Sequence, residues 1–299
     1  MRILFIGGSE LGKIALESMV VKERNIMGVV TTRNESQWYK GPDIIAHKYG
    51  IPLYGQVDVN DINFINTLKE LSPDIIAVVN FDQILKSEVI GIPKTACLNT
   101  HASLLPAYRG RAPLNWAIIN GEKETGVTVH YINEGIDTGD IIIQKKVEIK
   151  EDDYVGDVLE RVREIYSYIV DGAIELIENG RVLPRKQDLS KGSYYPKRSP
   201  ADGQISWQKT VSEIYNLVRA ISRPYPGAYT YCNNKKLLLW KAKIHKSTNV
   251  VGGGENAEII DIDSDRILVK ARGGYLEILE YEYPGEIRCG DLLKYYKDD

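Results

Sequence analysis

Residues 74–80 read Asp-Ile-Ile-Ala-Val-Val-Asn. An unbroken apolar run of this length is the pattern of a strand covered on both faces. A similar run opens the chain, Arg2-Ile-Leu-Phe-Ile-Gly-Gly8, where a buried strand over 2–6 is closed by glycines. Around these two runs the pattern alternates between periods. Helical spacing holds over 11–20, 43–49 and 62–71, and strand patterns over 27–32, 51–54 and 96–99. Strands alternating with helices imply an α/β fold, a Rossmann-like, mostly parallel sheet joined by right-handed crossovers. In such sheets the ligand crevice lies beyond the carboxyl ends of the strands. Asn80 and Asn99 stand at two of those ends. Gly7, Gly8 and Gly12 lack the GxGxxG spacing, and no acid closes the second strand, so they read as a tight strand-to-helix turn.

Further along, the character changes. Runs at 127–131 and 141–147 flank a Gly-rich turn and read as a hairpin, and 154–178 reads as one long helix. Residues 188–203, rich in Pro, Gly and Ser, read as a linker. A helix over 210–222 follows, and then short strand patterns at 228–231, 236–244, 258–262, 266–271 and 275–281. Short strands with polar turns suggest a small barrel or sandwich. The expected domains are therefore 1–187 and 204–299, with the linker between them.

With 299 residues, 43% of them hydrophobic, the chain can bury a large core. The net charge of −3 offers no overall basic excess for gripping a phosphate backbone. The three cysteines form no CxxC pair, and the four histidines show no ligand spacing, so no disulfide framework and no metal site is expected. No stretch approaches a membrane span and no signal peptide is seen, which makes the cytoplasm the expected location.

The chemistry gathers in two places. Residues 99–116 read Asn-Thr-His-Ala-Ser-Leu-Leu-Pro-Ala-Tyr-Arg-Gly-Arg-Ala-Pro-Leu-Asn-Trp. Residues two apart in extended chain face the same way, so Asn99 and His101 can converge on one atom. The second place is the turn Asn133-Glu-Gly-Ile-Asp-Thr-Gly-Asp140. A carboxylate beside a histidine favours the charged ring and fixes its tautomer. An Asn amide can donate to an oxygen that becomes negative in a tetrahedral intermediate. Asn99, His101 and Asp137 together would suit acyl transfer without a covalent intermediate. Each also has a plain structural reading, as a turn residue, a satisfied loop histidine and a hairpin or cap carboxylate. A Ser-His-Asp hydrolase would need a GxSxG elbow, which is missing. The residues alone stop at an α/β enzyme with acyl transfer among its possible chemistries.

These motifs resemble the folate-dependent formyltransferase family. Asn99-x-His101, Ser103-Leu-Leu-Pro106, Arg109-Gly-Arg-Ala-Pro113, Thr125-Gly-Val-Thr128 and Ile136-Asp-Thr-Gly-Asp140 fit it in order and at family spacing. So do Asp202-Gly-Gln-Ile-Ser-Trp207, Asn216-Leu-Val-Arg219 and Pro224-Tyr-Pro-Gly-Ala-Tyr229. The resemblance implies a small C-terminal barrel of the OB type and 10-formyltetrahydrofolate as formyl donor. It implies catalytic roles for Asn99, His101 and Asp137. It also implies a folate pocket from Gln83, Ile84, Leu85, Ser103, Leu104, Leu105, Pro106, Arg111, Asn133, Glu134, Gly135 and Ile136. Phe81 either packs on the folate or belongs to the core.

The amine acceptor is the finer question. Methionyl-tRNA formyltransferases carry a long basic loop after the second strand, whereas residues 31–42 here are short and hold two basic residues and one acid. Residues 200–299 hold 14 Lys and Arg against 14 Asp and Glu. The segment 111–128 is similar to the formyltransferase half of the enzyme acting on UDP-4-amino-4-deoxy-arabinose. The expectation is therefore a nucleotide-linked 4-amino sugar as acceptor, with methionyl-tRNA as the alternative and tRNA an unfavoured partner. Trp38, Tyr39, Tyr108, Arg109 and Trp116 are the candidates for contacting the sugar nucleotide, and a homodimer is compatible. A folate-binding relative without catalysis is a further alternative, opposed by the intact Asn99, His101 and Asp137.

Overall fold

A computed structural model describes residues 1–32, 41–55, 57–245 and 255–296. They form two compact units. The first takes in 1–110, 125–147 and 160–195, and the second 111–124, 148–159 and 196–299. Both are discontinuous in sequence, whereas the expected boundaries at 187 and 204 are single cuts along it.

The first unit is built on a seven-stranded sheet. Its strands are β1 (Arg2–Gly7), β2 (Asn25–Thr31), β3 (Leu53–Tyr54), β4 (Ile75–Val79), β5 (Ala96–His101), β7 (Glu124–Tyr131) and β8 (Ile141–Glu148), and a short β6 (Arg109–Gly110) lies outside it. The order is β3-β2-β1-β4-β5-β7-β8. Pairing is parallel from β3 through β5. Ile3 to Ile6 and Ile75 to Val79 are buried, as continuous apolar strands in a sheet clad by helices must be. The covering helices include α1 (Ser9–Val21), α2 (Asp43–Tyr49), α3 (Ile62–Leu71) and α4 (Ser87–Ile90). Gly7 and Gly8 are demanded by packing, because a Cβ on Gly7 would lie 2.7 Å from the Val79 carbonyl oxygen.

β5 changes the sheet's direction. It pairs antiparallel with β7, in the register Asn99↔His130 and His101↔Thr128. This pairing carries the strand two residues past its expected end at Asn99. The expected single helix over 154–178 is two, α6 (Val155–Tyr166) and α7 (Ile169–Glu178), which follow α5 (Pro113–Ile119). The Ser167 hydroxyl donates to the Glu164 carbonyl at 2.6 Å, and Tyr168 leaves helical geometry at φ −142 and ψ −21. A serine bonding back to its own helix competes with the backbone ladder at that turn. Part of the expected linker is structured as well, since β9 (Tyr194–Tyr195) pairs parallel with β6.

In the second unit α8 (Val211–Ile221) opens with a capping box of Thr210 and Glu213. The sheet that follows holds β10 (Ala228–Cys232), β11 (Lys235–Ile244), β12 (Ile259–Asp263), β13 (Arg266–Ala271), β14 (Gly274–Glu282) and β15 (Leu293–Lys294). Its order is β12-β13-β14-β11-β10-β15, antiparallel throughout. The two edges meet through Ile259 N–H to the Asp291 carbonyl at 3.0 Å and Leu293 N–H to the Ala257 carbonyl at 2.9 Å. Those bonds close the sheet into a barrel, as the OB-like expectation requires. No helix among the described residues is long and apolar enough to cross a membrane.

Candidate active site

The β5–β7 pair and the turn before β8 bring the polar residues together within the first unit. Asn99 and His101 lie on the same face of β5. The turn carries Asp137, which adopts a left-handed φ of +53 that Asp tolerates better than most residues. Asn133 organises this turn, accepting from Gly135 N–H at 3.2 Å and the Thr138 hydroxyl at 2.7 Å. Gln187 clamps its far end, donating to the carbonyls of Asp137 at 2.9 Å and Gly139 at 2.7 Å. Gly139 has no room for a side chain, because its Cβ would lie 1.8 Å from the Tyr131 carbonyl oxygen.

Asp137 is the centre of the cluster, with its side chain 10% exposed. One carboxylate oxygen accepts from the Asn99 amide at 3.0 Å. The other accepts from Gly110 N–H at 2.9 Å and faces His101 Nδ1 at 3.6 Å. Burial alone would push this carboxyl up. The nearby imidazoles of His101 and His130 and the Gly110 N–H outweigh it and hold Asp137 well below the usual carboxylate range. His101 Nε2 lies 2.7 Å from the Tyr108 carbonyl oxygen, so both of its ring nitrogens face oxygen acceptors. A fixed amide donor, an imidazole and an ionised carboxylate, largely withdrawn from water, can together stabilise an oxyanion and move a proton.

His130 belongs to this cluster and was not anticipated as a site residue. Its Nε2 lies 3.2 Å from the Asn99 amide nitrogen and 3.5 Å from Asp137. Sequence reading tested the histidines for metal-ligand spacing and not for their place across the sheet. The signal is the antiparallel register, which sets His130 directly opposite Asn99.

The residues expected around the folate fall in several settings. Ser103 and Leu105 are buried, while Leu104 and Pro106 are half-buried. Thr128 fixes this loop, donating to the Ser103 carbonyl at 2.7 Å and accepting from Leu105 N–H at 3.3 Å. Gln83 uses its side chain structurally, accepting from Val59 N–H at 3.1 Å and donating to the Val57 carbonyl at 2.8 Å. Ile84 is exposed and Leu85 is buried in the same apolar cluster as Phe81, which places Phe81 in the core. Glu134, Gly135 and Ile136 are exposed on the turn, and Arg111 is exposed at the start of the second unit.

The expected acceptor-contacting residues are divided between the two units. Tyr108 stacks on Tyr195 with ring centroids 5.0 Å apart, and Arg109 N–H donates to the Ser193 carbonyl at 2.9 Å. In the second unit, Trp116 donates to the Pro196 carbonyl at 3.2 Å and carries the Arg198 guanidinium 4.7 Å over its ring. Trp38 and Tyr39 lie outside the described residues. Among the described residues, no group of three or more His, Cys, Asp or Glu could hold a metal ion.

Fold and cluster define an α/β enzyme equipped for acyl transfer. Residues 1–171 match the family model "Formyl transferase", and residues 197–290 match "Formyl transferase, C-terminal domain". The chain belongs to the formyl transferase family and is a formyltransferase. It is 37% identical to a methionyl-tRNA formyltransferase of Clostridioides difficile, over 98% of this chain and 96% of that one. The corresponding enzyme of Clostridium acetobutylicum is 36% identical, with 98% and 96% covered. Among solved structures, an N-formyltransferase of Helicobacter canadensis, crystallised with folinic acid and dTDP-3-aminofucose, aligns with a TM-score of 0.74. It covers 94% of this chain and all of its own at 23% identity, a likeness of fold.

These findings overturn the expected acceptor. The sugar N-formyltransferase likeness is one of fold at 23% identity, while methionyl-tRNA formyltransferases reach 37% over nearly the whole chain. The expectation of a nucleotide-linked amino sugar, and of tRNA as an unfavoured partner, therefore does not stand. A balanced domain total is a poor guide to a nucleic-acid partner, because a phosphate backbone responds to where cations lie and not to their sum.

Proposed function

We propose that this enzyme transfers the formyl group of 10-formyltetrahydrofolate to the amine of methionyl-tRNA. The observation that carries the reading is the 37% identity with a methionyl-tRNA formyltransferase across almost the full length of both chains. The site geometry supports this chemistry. The amine attacks the formyl carbon, and the carbonyl electrons move onto oxygen. An Asn99 N–H and protonated His101 stabilise that oxyanion. Asp137 holds His101 and helps take the proton that the attacking nitrogen must lose. The bond from the formyl carbon to the folate nitrogen then breaks, and that nitrogen leaves with a proton. Gln83 to Leu85, Ser103 to Pro106, Arg111 and the turn 133–136 are proposed to hold the folate.

The test is a formylation assay with 10-formyltetrahydrofolate, offering methionyl-tRNA alongside a panel of UDP- and dTDP-linked amino sugars. Methionyl-tRNA is expected to be formylated, with a KM that climbs steeply with salt as phosphate contacts are screened. Formylation of an amino sugar with none of methionyl-tRNA would refute the reading.

A further inference from the structure

Gln187 lies in the stretch 172–196, which neither family match covers, and the scheme above gives it no part. Its side chain nevertheless ends on the turn that carries Asp137. The carbonyls of Asp137 and Gly139 only accept, so the Gln187 amide turns its nitrogen toward them, one N–H to each, at 2.9 and 2.7 Å. Gln187 Oε1 is then buried with no hydrogen-bond partner among the described residues. A buried acceptor left unpaired costs stability, so this amide is a poor device for holding the fold, and what it supplies is its donating end. Asp137 needs such a hold. A residue other than glycine keeps a left-handed φ, here +53, only where its surroundings fix it. Asn133 fixes the first part of the turn, through Gly135 N–H and the Thr138 hydroxyl. The backbone rotation at Asp137 itself is read in the direction of its own carbonyl, and that is the oxygen Gln187 holds.

We propose that Gln187 is a positioning residue: by holding the Asp137 and Gly139 carbonyls it sets the backbone rotation that places the Asp137 carboxylate among Asn99, His101 and Gly110. That carboxylate has little room for displacement. It accepts from the Asn99 amide at 3.0 Å and from Gly110 N–H at 2.9 Å, and it faces His101 Nδ1 at 3.6 Å. Rotation of the turn would disturb these contacts together, and a misplacement of about 1 Å can cost about a hundredfold in rate. Gln187 acts through Asp137 and not on the reacting atoms. The proposal rests on the role given to Asp137 and, for its kinetic arm, on methionyl-tRNA as acceptor.

The test is Gln187→Met, which removes both donors and the unpaired oxygen at similar length. It is made alone and in an Asp137→Asn background, and kcat, KM and the unfolding midpoint are measured. Alone it is expected to lose about tenfold or more in kcat, with KM for methionyl-tRNA within about twofold. In the Asp137→Asn background the charge to be placed is gone, and the same change is expected to cost under about threefold. An unchanged kcat, or an equal loss in both backgrounds, would overturn the proposal. Amide hydrogen exchange decides independently of turnover. Gly110 N–H donates to the Asp137 carboxylate, so in Gln187→Met it is expected to exchange about tenfold faster or more, while the amides of β4 keep their wild-type rates. An unchanged Gly110 rate, or an equal acceleration in β4, overturns the proposal. Where the variant does not fold, the side-chain amide of Gln187 is followed in the wild type. Slow exchange of both its protons supports the proposal, and exchange at the rate of a free amide overturns it. Wild-type protein that does not formylate methionyl-tRNA would instead count against the acceptor reading, leaving the exchange results to judge Gln187.

Discussion

Asp137→Asn isolates charge from shape. Asn is nearly isosteric and tolerates the left-handed φ of +53 as Asp does, so the backbone has no reason to move. The carboxylate accepts from Gly110 N–H at 2.9 Å and from the Asn99 amide at 3.0 Å, on different oxygens. A carboxamide has one oxygen, so one of those donors would meet an NH2 group and lose a charge-assisted bond, a cost of about 1.5–3 kcal/mol. The larger loss is the field on His101. At the 3.6 Å between His101 Nδ1 and Asp137, a charge pair at an effective dielectric near 20 is worth about 4.6 kcal/mol. In the proposed mechanism that stabilisation is needed when the imidazolium supports the oxyanion. Removing about 4.6 kcal/mol from the transition state corresponds to about a two-thousandfold loss in rate. The assay is kcat/KM for formylation of methionyl-tRNA, with thermal unfolding as a control for structure. A loss smaller than about tenfold, with the fold intact, would refute the central role given to this carboxylate.

Asn99→Ala is expected to lower kcat by about two to three orders of magnitude, the loss typical of one oxyanion donor, and His101→Ala to remove most turnover, both read from single-turnover formylation. Gly139→Ala is expected to lower the unfolding temperature by about 6 °C or more, because the new Cβ would meet the Tyr131 carbonyl oxygen at 1.8 Å and the turn must move; calorimetry checks it. The lowered Asp137 also predicts a pH dependence of stability. A carboxyl depressed in the folded state contributes stability that is fully present above its ordinary unfolded value near 4 and is lost as pH falls through the folded one. The stability gap between wild type and Asp137→Asn in denaturant titrations should therefore be constant from pH 7 to 5 and shrink below about pH 4, and a gap that widens on acidification would contradict it.

Much of the sheet was legible because fully buried strands announce themselves. Ile3 to Ile6 and Ile75 to Val79 are apolar without interruption, since neither face meets water. The turn from β5 to an antiparallel partner was not legible, because β7 is buried although its sequence alternates Val127 and Val129 with Thr128 and His130. Direction lives in the pairing, and local sequence does not record it. The helix over 154–178 was misread for a related reason. Tyr154 to Glu178 keeps helical apolar spacing across the break, and only the Ser167 side chain and the Tyr168 backbone interrupt it.

The site divides along the same line. Asn99 and His101 are two apart on one strand, so period-two geometry alone set them on one face. Asp137 required the family pattern, because nothing local says which turn carboxylate folds back toward β5. His130 lay beyond both routes, since its place beside Asn99 depends on the cross-strand register. The acceptor failed for a different physical reason. Net charge over 200–299 is zero, but a nucleic acid responds to where cations lie and not to a domain total. The acids of that sum do not all offset free lysines. Glu277 is 5% exposed and is held by Lys243 at 2.9 Å and by His245, so it contributes to the count and little to the surface. A balanced composition therefore does not exclude a phosphate-binding surface. In the proposed mechanism Asn99, His101 and Asp137 would serve any amine that reaches the formyl carbon, so the cluster itself does not discriminate between acceptors.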